Sequence, residues 1–175
     1  IFVASACVRL PSLSSAAKTQ PLTQELISYY DHSPQSWKNQ IQSSDGADGY
    51  QIHHLKLISE GSSPIQEIVI DWYQPSSSGK WPAIIMSPIL AGDDLYVQEF
   101  ARFFAGRKMH ALIVYRPKEV FSADRPLSDV EKHFRESIFI LRHTLDWLEK
   151  EESVEPTQIG TFGISMGAIL NTILT

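Results

Sequence analysis

The sequence holds one cysteine, Cys7, in 175 residues. A lone thiol makes neither an internal disulfide nor a cluster of thiolate ligands, so disulfide scaffolds and zinc ribbons are excluded. Positive charge is scarce as well: 15 Lys and Arg stand against 20 Asp and Glu, for a formal net charge of -5. No basic field gathers phosphate backbones, and nucleic acid is not an expected partner. No apolar run approaches the roughly 18 to 20 residues that a bilayer-spanning helix needs. What the chain does have is core material, with 43% hydrophobic and 10% aromatic residues, which suits a folded domain and excludes disorder throughout.

Both ends read as cut: the chain opens on Ile1, and Met166 to Thr175 has the character of a helix with no stop signal. The run Ile1-Phe2-Val3-Ala4-Ser5-Ala6-Cys7 is small and apolar, and Ser and Ala continue to near Thr19. Residues 1–20 therefore resemble the tail of a secretory signal of the lipoprotein type, which implies a secreted or cell-envelope protein and membrane attachment by lipid at Cys7. The basic leading region of such signals is missing, and Ala4 stands where Leu is usual. The plainer alternative is a frayed terminus, or a short buried piece with an inert thiol, in a cytoplasmic protein. Residues 21–49 read as a helix and loop, with Leu22, Leu26, Ile27 and Tyr30 spaced for a short helix before Ser- and Gly-rich sequence up to Gly49.

From residue 50 to 175 the texture is that of one α/β domain. Tyr50 to Ser59 and Ile65 to Gln74 are rich in β-branched and aromatic residues and predict an antiparallel hairpin. The continuous apolar runs Ala83-Ile84-Ile85-Met86 and Ala111-Leu112-Ile113-Val114-Tyr115 suit strands covered on both faces. Between them, Val97, Phe100, Ala101 and Phe104 form one stripe of a helix over Leu95 to Arg107, with Gly106 as its stop. A longer helix is predicted from Ser128 to Lys150, where Val130, Phe134, Ile138, Leu141, Leu145 and Leu148 recur every three or four residues and Ser128 with Glu131 has the form of a capping box. After Glu155-Pro156-Thr157 a short strand, Gln158 to Phe162, runs into a last helix. The alternation predicts a mostly parallel sheet with helices on both faces, entered through the hairpin and incomplete at its C-terminus.

The chemistry lies in Gly163-Ile164-Ser165-Met166-Gly167, a G-x-S-x-G between a predicted strand and a predicted helix. On so sharp a turn a serine is held in a strained conformation with its hydroxyl projecting above the sheet edge, and glycines are needed where side chains would collide. Ser165 is the candidate nucleophile, and the amide of Met166, at a helix N-terminus, is a candidate oxyanion donor. The simpler reading of a five-residue pattern is an ordinary Gly-Ser turn.

With this motif, residues 50–175 resemble the N-terminal half of the α/β-hydrolase family, in particular its dienelactone-hydrolase and esterase-like branch. The resemblance implies hydrolysis of a small-molecule ester, or of a thioester or amide, through an acyl-enzyme on Ser165, with no cofactor. It also implies a second oxyanion donor in the loop after the run at 83–86, commonly in a His-Gly-x form. Here that loop is Ser87-Pro88-Ile89-Leu90-Ala91-Gly92, and Pro88 has no N–H, so the donor falls to Ile89 or, as the alternative, Leu90. The family places its acid and histidine after the nucleophile, whereas all six histidines, at 32, 53, 54, 110, 133 and 143, precede Ser165. They read as surface or edge residues, with His133 and His143 on the polar side of the long helix, and the catalytic acid and base are expected beyond this chain.

Other residues point less sharply. Asp93-Asp94 and Asp124 read as helix and turn starters rather than metal ligands. Arg116 and Lys118 follow a strand at its carboxyl end, where they face either an anionic substrate or solvent. Trp72 and Trp147 read as packing residues. The rival to an enzyme is a non-catalytic α/β-hydrolase-like binding or interaction module that keeps the turn for structural reasons.

Overall fold

A computed structural model describes residues 24–62, 64–89, 95–116 and 126–174. Residues 1–20 with Cys7, and Leu90, Asp93, Asp94, Lys118 and Asp124, lie outside the described residues. The chain divides into two compact units, residues 1–31 and 32–175. In the first, α1 (Gln24–Tyr29) is a six-residue helix in which the Ser28 hydroxyl donates to the Glu25 carbonyl at 2.9 Å.

The second unit is built on one six-stranded sheet. In chain order its elements are β1 (Trp37–Ala47), β2 (Tyr50–Ser59), β3 (Glu67–Pro75), β4 (Trp81–Ser87), α2 (Leu95–Ala105), β5 (His110–Val114), α3 (Leu127–Leu148), β6 (Val154–Gly163) and α4 (Met166–Leu174). The spatial order is β1-β2-β3-β5-β4-β6. β4 runs parallel to both β5 and β6, whereas β1 with β2, β2 with β3 and β3 with β5 are antiparallel. The sheet is therefore mixed, not mostly parallel as the sequence predicts. Apolar runs report burial on both faces but are silent on direction, and β3 turns out to run against β5.

Packing follows the alternation of side chains along each strand. On one face Tyr73, Ile84, Met86, Ala111 and Ile113 meet Val97, Ala101 and Ala105 of α2. On the other, Trp72 packs edge-on against Trp147 of α3 with ring centroids 5.5 Å apart, as the packing role of both residues requires. Leu55 pairs directly with Ile70 and Leu57 with Ile68, and all four are buried. Each such side chain contributes about 1.5–3 kcal/mol by leaving water. α4 packs on β6 and β4, and α3 packs against α4 and β5.

Several local expectations are corrected. Trp37 to Ala47, read as loop, is an eleven-residue strand. It is the edge of the sheet and is exposed along nearly its whole length, so burial left no period-2 signature in its sequence. The capping box does not form: α3 begins at Leu127 behind Pro126, with no side-chain cap, so Ser128 already lies inside the helix. α2 ends at Ala105 with Gly106 directly after it, as expected, and the left-handed residue of the turn that follows is Lys108, with φ 62°. β6 starts four residues earlier than expected because a register irregularity between its pairing to Trp81 and to Ala83 absorbs Pro156.

Two histidines expected at the surface or at an edge are buried. His143 is 2% exposed, because the segment carrying His32 and Trp37 covers the helix side that faces away from the apolar stripe. Burial, followed by the nearby His32, holds its pKa down to about 4. His110 opens β5 as expected but is fully buried, between the Trp72 indole and the Ser153 carbonyl.

Candidate active site

β6 delivers the chain to Gly163, Ile164 and Ser165 make the turn, and α4 starts at Met166. Ser165 has φ 55°, in the left-handed region, and is exposed. A non-glycine residue there costs roughly 1–2 kcal/mol, which the packing on either side must hold. That packing is backbone on backbone. A Cβ on Gly163 would sit 2.4 Å from the Gly167 carbonyl carbon and 2.7 Å from the Ala168 nitrogen, and a Cβ on Gly167 would sit 2.5 Å from the Ser87 carbonyl oxygen. No flexible side chain stands in these places to yield, so both glycines are sterically required.

The first amides of α4 divide into two kinds. Those of Gly167, Ala168 and Ile169 are spent on the carbonyls of Ile164 and Ser165, at 3.0 to 3.3 Å. Met166 is the first helical residue, where helix geometry provides no intrahelical acceptor for the N–H and the macrodipole adds partial positive charge.

The strand β4 brings its following loop to the same place. Ser87 is the sheet partner of Gly163, touches Gly167 through its carbonyl, and donates its hydroxyl to Asn171 Oδ1 of α4 at 3.4 Å. Arg116, just past β5, reaches across and donates to the carbonyls of Pro88 at 2.7 Å and Ile89 at 3.3 Å. Burial lowers its pKa without discharging it. Through these contacts the half-buried Arg116 braces the start of the loop. Sequence reasoning missed this brace, and Ser87 with Asn171, because backbone acceptors leave no mark in the side-chain pattern.

The histidines take other partners. Among the described residues Ser165 Oγ has no hydrogen bond to a histidine. His53 and His54 sit on β2, separated from β6 by β3, β5 and β4, which at about 4.8 Å per strand is roughly 19 Å. His54 Nδ1 is 2.6 Å from Asp71 Oδ1, and that bond raises its pKa. His110 opens β5 at the sheet edge opposite the serine, and His133 pairs with Glu136 on its own helix.

No protein-family model matches the chain, and no curated protein matches it significantly. Solved structures do. A cold-adapted esterase from an Arctic intertidal metagenomic library matches 79% of this chain and 57% of its own, at 18% identity and TM-score 0.55. An acetyl xylan esterase from Paenibacillus sp. R4 matches 85% of this chain and 52% of its own, at 16% identity and TM-score 0.58. A glucuronoyl esterase from Solibacter usitatus matches 86% and 53%, at 12% identity and TM-score 0.57. The chain spans little more than half the length of these structures, and the likeness at such identities is one of fold. The described residues have an α/β fold similar to that of these esterases.

Proposed function

We propose that the longer protein is a serine hydrolase of small-molecule esters, with thioesters or amides as further substrates, and that Ser165 is its nucleophile. The observation that carries this reading is a serine held at φ 55° on a strand-to-helix turn, with glycines required on both sides. A binding turn has no need to hold a hydroxyl under strain at the mouth of a helix. The pattern fits the dienelactone-hydrolase and esterase-like branch of the α/β-hydrolases, and export through residues 1–20 belongs to the same reading.

In the reaction Ser165 Oγ attacks the ester carbonyl carbon while a histidine takes its proton. The carbonyl oxygen becomes an oxyanion that accepts hydrogen bonds from the Met166 amide and from Ile89, with Leu90 as the alternative donor. Collapse expels the alcohol, which receives the proton from the histidine. Water then attacks the acyl-serine by the same route, releasing the acid and restoring Ser165. The histidine and its carboxylate partner come, in this reading, from sequence that follows α4.

Arg116 has a defined part. A peptide unit is planar and trans, so its N–H points away from its own carbonyl oxygen. By holding the Pro88 oxygen at 2.7 Å, Arg116 fixes the plane whose other end is the Ile89 N–H. The test is fluorophosphonate labelling and esterase turnover of the longer protein beside its Ser165→Ala variant. Labelling and turnover that vanish in the variant support the enzyme; a folded protein that takes no label is the non-catalytic module instead.

A further inference from the structure

The side-chain cluster at the far end of α3 lies outside the chemistry above. His143 and Asp146 are one turn apart on α3, so they share a face, and His32 approaches from the segment before β1. One ligand-capable atom from each of the three lies within 4.8 Å of the others. His32 Nε2 is 2.9 Å from Asp146 Oδ2, and the His32 and His143 rings meet edge-on at 4.9 Å. His143 is 2% exposed, and its Nδ1 is buried with no hydrogen-bond partner. A core imidazole normally satisfies both nitrogens, as His110 does here, so an unpartnered one beside a histidine and a carboxylate is an open ligand position.

We propose that His32, His143 and Asp146 bind a zinc ion that clasps the segment before β1 to the last turns of α3. Two neutral imidazoles and one carboxylate are donors that zinc accepts, and three protein ligands leave a fourth position for water. With bonds near 2.1 Å, tetrahedral zinc holds its donors about 3.4 Å apart, so binding draws the widest pair, now within 4.8 Å, inward by up to about 1.4 Å. The ion replaces the hydrogen bond between His32 Nε2 and Asp146 Oδ2, and the proton of the neutral His32 imidazole then sits on Nδ1. His32 and Asp146 side chains are 16% and 25% exposed, which gives the ion its way in. The clasp is separate from Ser165: α3 leaves the carboxyl end of β5 and returns to the amino end of β6, so its last turns lie at the opposite sheet edge. The proposal therefore stands whether or not the protein hydrolyses esters.

The test is calorimetric titration of the metal-stripped protein with zinc, repeated with cobalt to read the visible absorption of a four-coordinate ion. One saturable equivalent is expected, with the tetrahedral cobalt spectrum. Asp146→Asn and His32→Gln, both at partly exposed positions, should each weaken binding more than about tenfold, while His53→Gln leaves it unchanged. Circular dichroism of each variant confirms the fold. A folded wild-type protein that takes up no stoichiometric zinc overturns the proposal, as does uptake that survives both ligand variants unaltered.

Discussion

His110 makes two hydrogen bonds that only one tautomer can make. The Trp72 indole N–H donates to its Nδ1 at 3.1 Å, so that nitrogen must be bare, and its Nε2 donates to the Ser153 carbonyl at 2.9 Å. A second proton would destroy the first bond, and burial lowers the pKa below 6.5. The unfolded chain then binds more protons than the folded one as pH falls below about 6.5, so this contribution is full above that value and is lost on acidification. His54 acts with the opposite sign: its raised pKa stabilises below 6.5 and the effect fades as pH rises through the raised value. The expected result is that His110→Gln lowers the urea midpoint near neutral pH but flattens its fall toward about pH 5, measured against wild type so that the other histidines cancel. At Arg116 the prediction is kinetic. Arg116→Met should leave KM of the proposed enzyme little changed and lower its kcat by about tenfold or more, since a misaligned oxyanion donor would be missed mainly in the transition state. Equal kcat for the two proteins would sever the brace from the reaction.

At the scale of elements, α2 lies close to the sheet because its inward residues are small. Ala101 and Ala105 are buried in one cluster with Ala111, Ile113, Met86 and Val97. Ala101→Leu should therefore destabilise by about 1–3 kcal/mol through overpacking, read as a lower denaturation midpoint with an unchanged m-value. The same element shows what a sequence makes legible. Val97, Ala101 and Phe104 repeat at helical spacing because one side of α2 is buried, and the runs at 84–86 and 111–114 are apolar because both faces of their strands are covered. β1 carries no such imprint, since it joins the sheet through backbone pairing and polar side-chain contacts and is exposed along nearly its whole length. The turn at Ser165 was legible because steric crowding demands glycine at fixed positions. The grip of Arg116 on two carbonyls and the burial of His143 were not, because both depend on segments distant in sequence.

The whole unit sets its parts in a consistent geometry. The parallel strands β4, β5 and β6 bring their carboxyl ends to one edge, where Ser165, the loop after β4 and Arg116 meet. No histidine of the described residues joins them through Ser165 Oγ, so residues 1–175 made alone should fail to turn over esters by a route that depends on Ser165. Purified chain compared with its Ser165→Ala variant checks this, and a wild-type rate clearly above the variant's would reveal an upstream base. The strand order carries one more consequence. β4 is synthesised before β5 and β6, yet these are its two neighbours in the sheet. At about 5–20 residues per second, a ribosome leaves Ile84, Ile85 and Met86 without either partner for on the order of seconds. The antiparallel wing β1-β2-β3 has no such wait, since each of its strands follows its neighbour directly. The nascent protein thus emerges with a wing that can pair at once and an apolar strand that must be kept from other chains until β5 and then β6 arrive.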